Sequence, residues 1–198
     1  MKRILAILLV GSAALYAGDL YQPKSCDGKI ITLNPEGKIT VVMASSQPLA
    51  DTTREFGRAM YPWQGLDDFR VIVVVDLRKS LGTLFKGWTV GKMKADLDEE
   101  GEILQPWFRA RGSKANPREV LCAIPDFDGK ASESLGWGTD DRKMKVTIFG
   151  KDQKVIWSSK DVASCSEVTR RLTELLGPPA PRPPDAGPKK SKILLRRS

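Results

Sequence analysis

The stretch VVMASSQPLADTTREF, residues 41–56, is the first place in the chain where chemistry is expected. A β-branched run ends in small polar residues, a proline follows, and the spacing then predicts an amphipathic helix. A turn between a strand and a helix N-terminus can hold a nucleophile, a thiolate or a phosphate, because the first amides of the helix are unpaired. Here the turn carries Ser45, Ser46 and Gln47, with no cysteine, histidine or lysine. It has the shape of a catalytic site without an evident reactive group.

The composition excludes two classes of catalysis. The chain has no histidine, which removes Ser-His-Asp and Cys-His mechanisms. Three cysteines alone are fewer ligands than a structural zinc site usually has, so we expect no metal and no other cofactor. A nucleophile at Ser45 or Ser46 would need a lysine or carboxylate base from elsewhere in the chain. We favour a structural role in which these hydroxyls satisfy the first free amides of the helix. A weakly bound anion or peptide carboxylate is the alternative.

The N-terminus, residues 1–17, predicts export. Two positive residues precede an apolar run over residues 4–15, and small residues follow near Ala17. This is the pattern of a signal peptide, and the run is short for a membrane span. Cleavage after Ala14 instead of Ala17, or an uncleaved anchor, are the alternatives. The short, simple leader predicts a periplasmic or secreted protein of a bacterial envelope.

The formal net charge of +8 is concentrated at the two ends of the chain. Two of these charges lie in the leader, and residues 178–198 carry six basic residues against one aspartate, which leaves residues 18–177 at +1. We therefore expect one domain over residues 18–177 and no nucleic-acid partner. Residues 178–198 hold six of the thirteen prolines and are predicted to be a disordered tail. A solvated tail without a partner is favoured over weak contact with an anionic envelope surface.

Hydrophobic patterning predicts an α/β fold with a central sheet. Phe69–Asp76 (FRVIVVVD) and residues 38–44 (KITVVMA) are apolar on both alternations, which is typical of strands buried on both faces. Residues 78–118 show two stretches of helical spacing separated by the acidic sequence ADLDEEGE, which predicts two helices with a loop. Further strands are predicted at residues 29–33, 120–125, 145–149 and 154–158, and further helices from Pro48, within residues 127–137 and over residues 164–176.

The sequence DGKIITLNPEGKITVVMAS resembles the N-terminal part of exported thioredoxin-like and peroxiredoxin-like proteins, where GK leads to the first core strand. Such proteins continue Ala-Ser-Trp-Cys-Pro-Pro-Cys, whereas this chain continues ASSQPLA. Alanine, serine and the first proline, Pro48, match the motif. Gln47 stands where the attacking cysteine belongs, and Ala50 stands where the resolving cysteine belongs.

Two later stretches extend the resemblance over roughly residues 27–177. IPDFDGKASESLGWG is similar to the segment with a Gly-Lys turn and a short helix, and KVTIFGKDQKVIW is similar to the closing hairpin. The cis-proline that opens this hairpin in the family is missing, and its place falls at about Met144. Residues 79–118 are longer than the usual crossover. The resemblance implies a thioredoxin-like fold: a central mixed sheet flanked by helices, with an N-terminal strand extension and a closing β-hairpin plus helix.

The cysteines are Cys26, Cys122 and Cys165, and in an oxidising compartment three pairings are open. Cys122 lies in an apolar run, where a small buried hydrophobe is expected. Cys165 follows the predicted helix cap Ser164, and a helix N-terminus activates a thiol. We nevertheless favour a structural role for Cys165, either in a disulfide with Cys26 or as an idle thiol, over a catalytic one.

The five tryptophans are spread along the chain, and packing in or near the core is expected for each. An exposed aromatic patch of Trp88, Trp107 and Phe108, available to a partner, is the alternative.

Disulfide exchange needs a thiolate at the helix N-terminus and usually a second thiol nearby, and this turn provides neither. Under the resemblance, the chain is expected to be an exported thioredoxin-like domain without the redox cysteines. Such a domain would act as a non-catalytic binding or scaffold module for an unidentified protein or peptide. The alternative is a thiol-disulfide oxidoreductase or peroxiredoxin-like enzyme that uses Cys165 or Cys26 unconventionally.

Overall fold

The computed structural model describes residues 21–186. The predicted signal peptide and residues 187–198 of the predicted tail lie outside this range. Along the chain the elements are β1 Ile39–Ser45, α1 Ala50–Ala59, β2 Phe69–Asp76, α2 Lys86–Ala110, α3 Pro117–Val120, β3 Cys122–Asp126, α4 Lys130–Ser134, β4 Val146–Phe149, β5 Val155–Ser159 and α5 Cys165–Leu176. Short 3₁₀ turns follow α1 at Tyr61–Trp63 and β2 at Leu81–Thr83.

The five strands form one mixed sheet in the order β3-β2-β1-β4-β5. β1, β2 and β3 run parallel, β4 is antiparallel to β1, and β5 is antiparallel to β4. The central strand β1 has six of its seven residues buried, which its continuous apolar run predicted. The prediction of an α/β fold with a central mixed sheet flanked by helices is confirmed.

Each face of the sheet is covered by its own apolar cluster. On one face, Val41 and Met43 pack with Phe56 of α1 and Leu172 of α5. On the other face, the alternate residues of the same strands, such as Val42, pack with other parts of the chain, including α4 and the segment before β1. The two clusters place α1 and α5 on the same side of the sheet.

The segment before β1 differs from its prediction. Residues 29–33 form no strand of the sheet and contribute a single bridge between Lys24 and Ile30. The chain folds back on itself here, because the amide of Ile31 donates to the carbonyl of Pro23 at 2.8 Å. The side chains of Ile31 and Leu33 are nevertheless buried in the core. Apolar residues alone predicted a strand, whereas the turn inside the segment satisfies its backbone locally.

The crossover between β2 and β3 also differs from the prediction of two helices. α2 is one helix of 25 residues that runs through the acidic stretch. Alanine, leucine and glutamate favour helix. Asp96, Asp98 and Glu99 of this stretch are exposed, whereas Glu100 is partly buried and accepts a hydrogen bond from the hydroxyl of Tyr61 at 2.6 Å. Its buried residues begin only at Gly101. Trp107 and Phe108 are buried, so they form no exposed patch, whereas Trp88 in the first turn is exposed. No helix within residues 21–186 is long and apolar enough to cross a bilayer.

The first residues after α5 contact the domain. The amide of Ala180 donates to the carbonyl of Pro62 at 3.4 Å. Asp185 forms an ion pair with Arg109 of α2, and Ala186 packs against the small cluster around Trp107. The described part of the predicted tail, residues 178–186, therefore lies against the body of the protein.

Candidate functional site

The turn that joins β1 to α1 lies at the carboxyl edge of the parallel strands. β1 ends at Ser45, and α1 begins at Ala50 with Leu49 as the residue before its first turn. The amide of Leu49 donates to the carbonyl of Ser46 at 3.1 Å, which closes the turn. Gln47 and Pro48 are exposed, while Leu49 is buried. This is the position that the sequence resemblance assigns to the redox motif.

The prediction that the two serines of this turn cap the helix is wrong, because no side chain accepts a hydrogen bond from the first amides of α1. Sequence reasoning missed Thr53, which ties the helix to the strand. Its buried hydroxyl lies 2.9 Å from the carbonyl of Leu49 and 3.2 Å from that of Ala44. A threonine one turn into a helix commonly bonds back to an i−4 carbonyl, and this is the signal that sequence analysis had available.

A loop covers the turn. This loop consists of residues 138–141 and is here called the covering loop. The hydroxyl of Ser46 donates a hydrogen bond to its Asp141 carbonyl at 2.6 Å. Lys79, which follows β2, reaches the same loop, with its ammonium group 3.2 Å from the Asp141 carboxylate. Ser46 is only 4% exposed. Its hydroxyl is therefore occupied and shielded, which removes it as a nucleophile.

A buried lysine also holds the covering loop. Lys145 is 4% exposed, and its ammonium group donates to the carbonyl of Gly138 at 3.0 Å. Burial lowers the pKa of Lys145, and the negative charge of Asp76 partly opposes this change. Since the ammonium group is directed at a backbone carbonyl, its evident role is to fix the loop.

Met144 occupies the place where the family's cis-proline is expected. It is 3% exposed, and its carbonyl accepts a hydrogen bond from the amide of Val162 at 2.8 Å. The next carbonyl, that of Lys145, accepts from Ala44 of β1 at 2.9 Å. These carbonyls are paired inside the protein, so they are not available to a bound peptide.

Two acidic groups at the same edge of the sheet are also engaged. Asp76, the last residue of β2, accepts from Arg78 Nε at 3.0 Å and from Nη2 at 2.7 Å. Burial alone would raise the pKa of Asp76, but these bonds outweigh it, and the pKa is lowered. Asp126, the last residue of β3, accepts from the hydroxyl of Ser132 at 2.7 Å and from two amides of α4. Both carboxylates stabilise the edge of the sheet, and neither lies open to a substrate.

The structure places Cys26 and Cys122 at the edge strand β3 and Cys165 against one face of the sheet, and all three have free thiols. The amide of Cys26 donates to the carbonyl of Ala123 in the edge strand β3 at 2.9 Å. Cys122 begins the same strand, and burial raises its pKa to about 11 and also raises the pKa of Cys26. Cys165 is the first residue of α5, which follows β5 in the chain. It is partly buried and packs against the cluster around Val41. Cys26 and Cys165 form no disulfide in the structure.

Two cavities lie away from the turn. The first has a volume of about 350 Å³ and is lined by residues that include Cys122 and Arg118. Arg118 donates hydrogen bonds to Asp27 at 2.9 Å and to Asp98 at 2.5 Å. The second, of about 320 Å³, lies beside Phe108 at the opposite ends of the strands. Across residues 21–186, no three acidic or cysteine side chains meet where they would hold a metal ion.

No model of a protein family matches this chain, and no curated protein is detectably similar to it. Solved structures do match. The MTB protein dsbF is 18% identical, with 79% of this chain and 95% of that chain covered and a TM-score of 0.49. The exposed lipoprotein thioredoxin Etrx1 of Streptococcus pneumoniae is 16% identical, with 78% and 98% covered and a TM-score of 0.48. StoA of Bacillus subtilis is 8% identical, with 76% and 93% covered and a TM-score of 0.46.

The class of the fold follows from the arrangement of the elements. A central parallel β1 leads through a turn into α1, two parallel strands extend the sheet on one side, and a hairpin followed by a helix completes it on the other. This is the order that the sequence resemblance implies. The fold is thioredoxin-like.

Proposed function

We propose that this chain is an exported, thioredoxin-like binding module without redox activity. The observation that supports the proposal most directly is the state of the β1–α1 turn. Gln47 and Ala50 stand at the positions of the two sulfurs, and the hydroxyl of Ser46 is occupied by the covering loop. Thiol exchange at this turn has no thiolate. For acyl or phosphoryl transfer, the hydroxyl of Ser46 is not free, and Ser45 has no histidine in the chain to act as its base.

The competing function is a thiol oxidoreductase that uses another cysteine. Cys26 is a poor candidate, because it is 3% exposed and burial raises its pKa, which disfavours the thiolate. Cys165 is only partly buried and begins a helix of 12 residues. Cys165 is therefore the residue on which a test of the redox alternative must focus.

The deciding experiment measures insulin reduction by dithiothreitol and consumption of hydrogen peroxide. The exported, processed protein is compared with its Cys165→Ser and Cys26→Ser variants, with a thioredoxin as the positive control. We expect no turnover above the protein-free rate for any of the three. Turnover by the wild-type protein that Cys165→Ser abolishes and Cys26→Ser preserves would overturn the proposal in favour of an enzyme.

A binding module also requires a partner, and we propose an envelope protein or peptide. The paired carbonyls at Met144 and Lys145 argue against peptide capture at the place where the family's cis-proline is expected. The partner must then use another surface of the domain.

A further inference from the structure

Four large apolar side chains are exposed together just after β2. They are Leu81, Leu84, Phe85 and Trp88, here called the apolar corner, and their exposed fractions are 78%, 73%, 65% and 71%. Soluble proteins rarely expose several large apolar side chains side by side unless the patch binds something. Neither cavity described above includes any of the four residues. Since most of each side chain has no neighbour, the apolar corner is a convex surface.

The backbone of the apolar corner is held by local hydrogen bonds. The hydroxyl of Ser80 accepts from the amide of Gly82 at 3.1 Å and caps the 3₁₀ turn. The hydroxyl of Thr89 lies 3.2 Å from the carbonyl of Phe85 and 3.3 Å from that of Gly82, which joins this turn to the start of α2. The four side chains are therefore presented by a hydrogen-bonded turn and the first turn of a helix.

The segment of the chain that contains the apolar corner has basic residues and no acidic ones. Residues 78–95 contain five basic residues and no acidic residue, in a body with a net charge of only +1. The ammonium group of Lys92 lies 6.0 Å from the ring centroid of Trp88, and that of Lys86 lies 5.1 Å from the ring centroid of Phe127. Two lysines of this segment thus rest on aromatic rings beside the exposed apolar groups.

Two of the five basic residues of the segment form ion pairs. Arg78 bonds to Asp76, and Lys79 pairs with Asp141 at 3.2 Å. The acidic residues of α2 begin only at Asp96, more than two turns after Trp88. The positive charge beside the apolar corner is therefore supplied by Lys86 and Lys92.

We propose that the apolar corner and its lysines dock this protein on an anionic phospholipid surface. Leucine, phenylalanine and tryptophan next to lysines are the side chains that interfacial helices insert at the headgroup level. Lysines near the membrane add attraction to anionic lipid. A bound peptide would need pockets for its side chains, whereas a fluid lipid surface conforms to a convex corner. The inference rests on the proposed export of the chain and is independent of the loss of redox activity.

The first test measures binding of the exported, processed protein to vesicles. Sedimentation is measured with vesicles of phosphatidylglycerol and phosphatidylcholine and with vesicles of phosphatidylcholine alone. We expect binding to the anionic vesicles that weakens as salt is added. The double variant Phe85→Ala/Trp88→Ala should weaken binding at least about tenfold, because each side chain loses apolar area that would be buried in lipid. The matched control is Ile30→Ala, which is 67% exposed in the segment before β1, and it should bind like the wild type.

Two further variants separate the sources of attraction. Lys86→Gln and Lys92→Gln should each weaken binding to anionic vesicles by about fivefold and reduce its salt dependence. Deletion of residues 187–198 removes five basic residues of the tail and spares the described contacts of residues 178–186. We expect the shortened chain to keep the effect of Phe85→Ala/Trp88→Ala.

Three outcomes would overturn the proposal. One is unchanged vesicle binding by the folded Phe85→Ala/Trp88→Ala variant, with circular dichroism as the check of folding. Another is complete loss of binding on deletion of residues 187–198, which would make the tail the anchor. The third is no binding of the wild-type protein to anionic vesicles, which would leave the apolar corner as a surface for a protein partner.

Discussion

Replacing Asp76 by asparagine tests whether the ion pair with Arg78 stabilises the carboxyl edge of the sheet. Asp76 ends β2, and its side chain is 10% exposed, while that of Arg78 is 17% exposed. The carboxylate accepts two bonds from the guanidinium group and a third from the Arg78 amide at 3.1 Å. The Asp76→Asn variant keeps the shape of the side chain, but it turns one acceptor into a donor and leaves the guanidinium group with the more distant carboxylate of Glu133, at 4.0 Å, as its ion-pair partner.

The expected loss is about 2–3 kcal/mol in the free energy of unfolding at pH 7, since hydrogen bonds to charged groups contribute more than neutral ones and burial offsets part of the gain. The effect depends on pH. Because folding lowers the pKa of Asp76, its contribution is present above the unfolded pKa of about 3.9 and is lost as the pH falls through the folded pKa. The difference between wild type and variant should therefore be full at pH 7 and should narrow steadily below about pH 4.

The assay is urea denaturation followed by tryptophan fluorescence at pH 7, 5, 4 and 3, with the slope of the transition checked for constancy. The matched control is Asp161→Asn, which removes an exposed pair with Lys143 at 2.7 Å and should change the midpoint little. Equal midpoints for Asp76→Asn and wild type at pH 7 would refute the reasoning, as would a difference that stays constant down to pH 3.

Two further substitutions address the covering loop and the turn before α4. Ser46→Ala should lower the free energy of unfolding by about 1 kcal/mol, because a buried hydrogen bond of the hydroxyl is lost. Gln47→Ala changes the exposed neighbour and should have little effect. Equal urea midpoints for the two variants would contradict the buried hydrogen bond. Gly129→Ala should lower the free energy of unfolding by about 1–2 kcal/mol or more, because φ of Gly129 is +81° and a Cβ would lie 2.6 Å from Cδ of Arg78. Gly136→Ala has a φ of +66° without such a contact, so it should be the milder change in the same urea assay, and the reverse order would refute the clash.

The strands and the last helix followed from local patterns in the sequence. The prediction for β2, Phe69–Asp76, matches the structure at both ends, because its valines and isoleucines favour an extended chain buried on both faces. α5 begins at Cys165 after the cap Ser164, whose hydroxyl accepts from the amide of Ser166 at 3.2 Å, and the cap was readable from the sequence. The turn without sulfurs was likewise readable, since Gln47 and Ala50 are visible in the printed sequence.

Two of the failed predictions concern places where the partner of a group is distant in sequence. Ser46 was expected to cap its own helix, but its hydroxyl bonds to Asp141, 95 residues away. Trp88 and Trp107 have similar spacing to their neighbours, yet Trp88 is exposed and Trp107 is buried against Leu104 and Phe108. Periodicity shows which residues share a face of a helix, but it does not show where along the helix the packing begins.

The sequence by itself determined the five strands of the sheet, the last helix, the absence of histidine and the absence of cysteine at the start of α1. These properties depend on residue identity and on spacing within a few residues. Only the tertiary structure decided that Ser46 lies closed under the covering loop, that the carbonyl of Met144 is paired, and that the apolar corner is open to solvent. Each of these depends on which distant segments meet, and that is set by packing across the sheet.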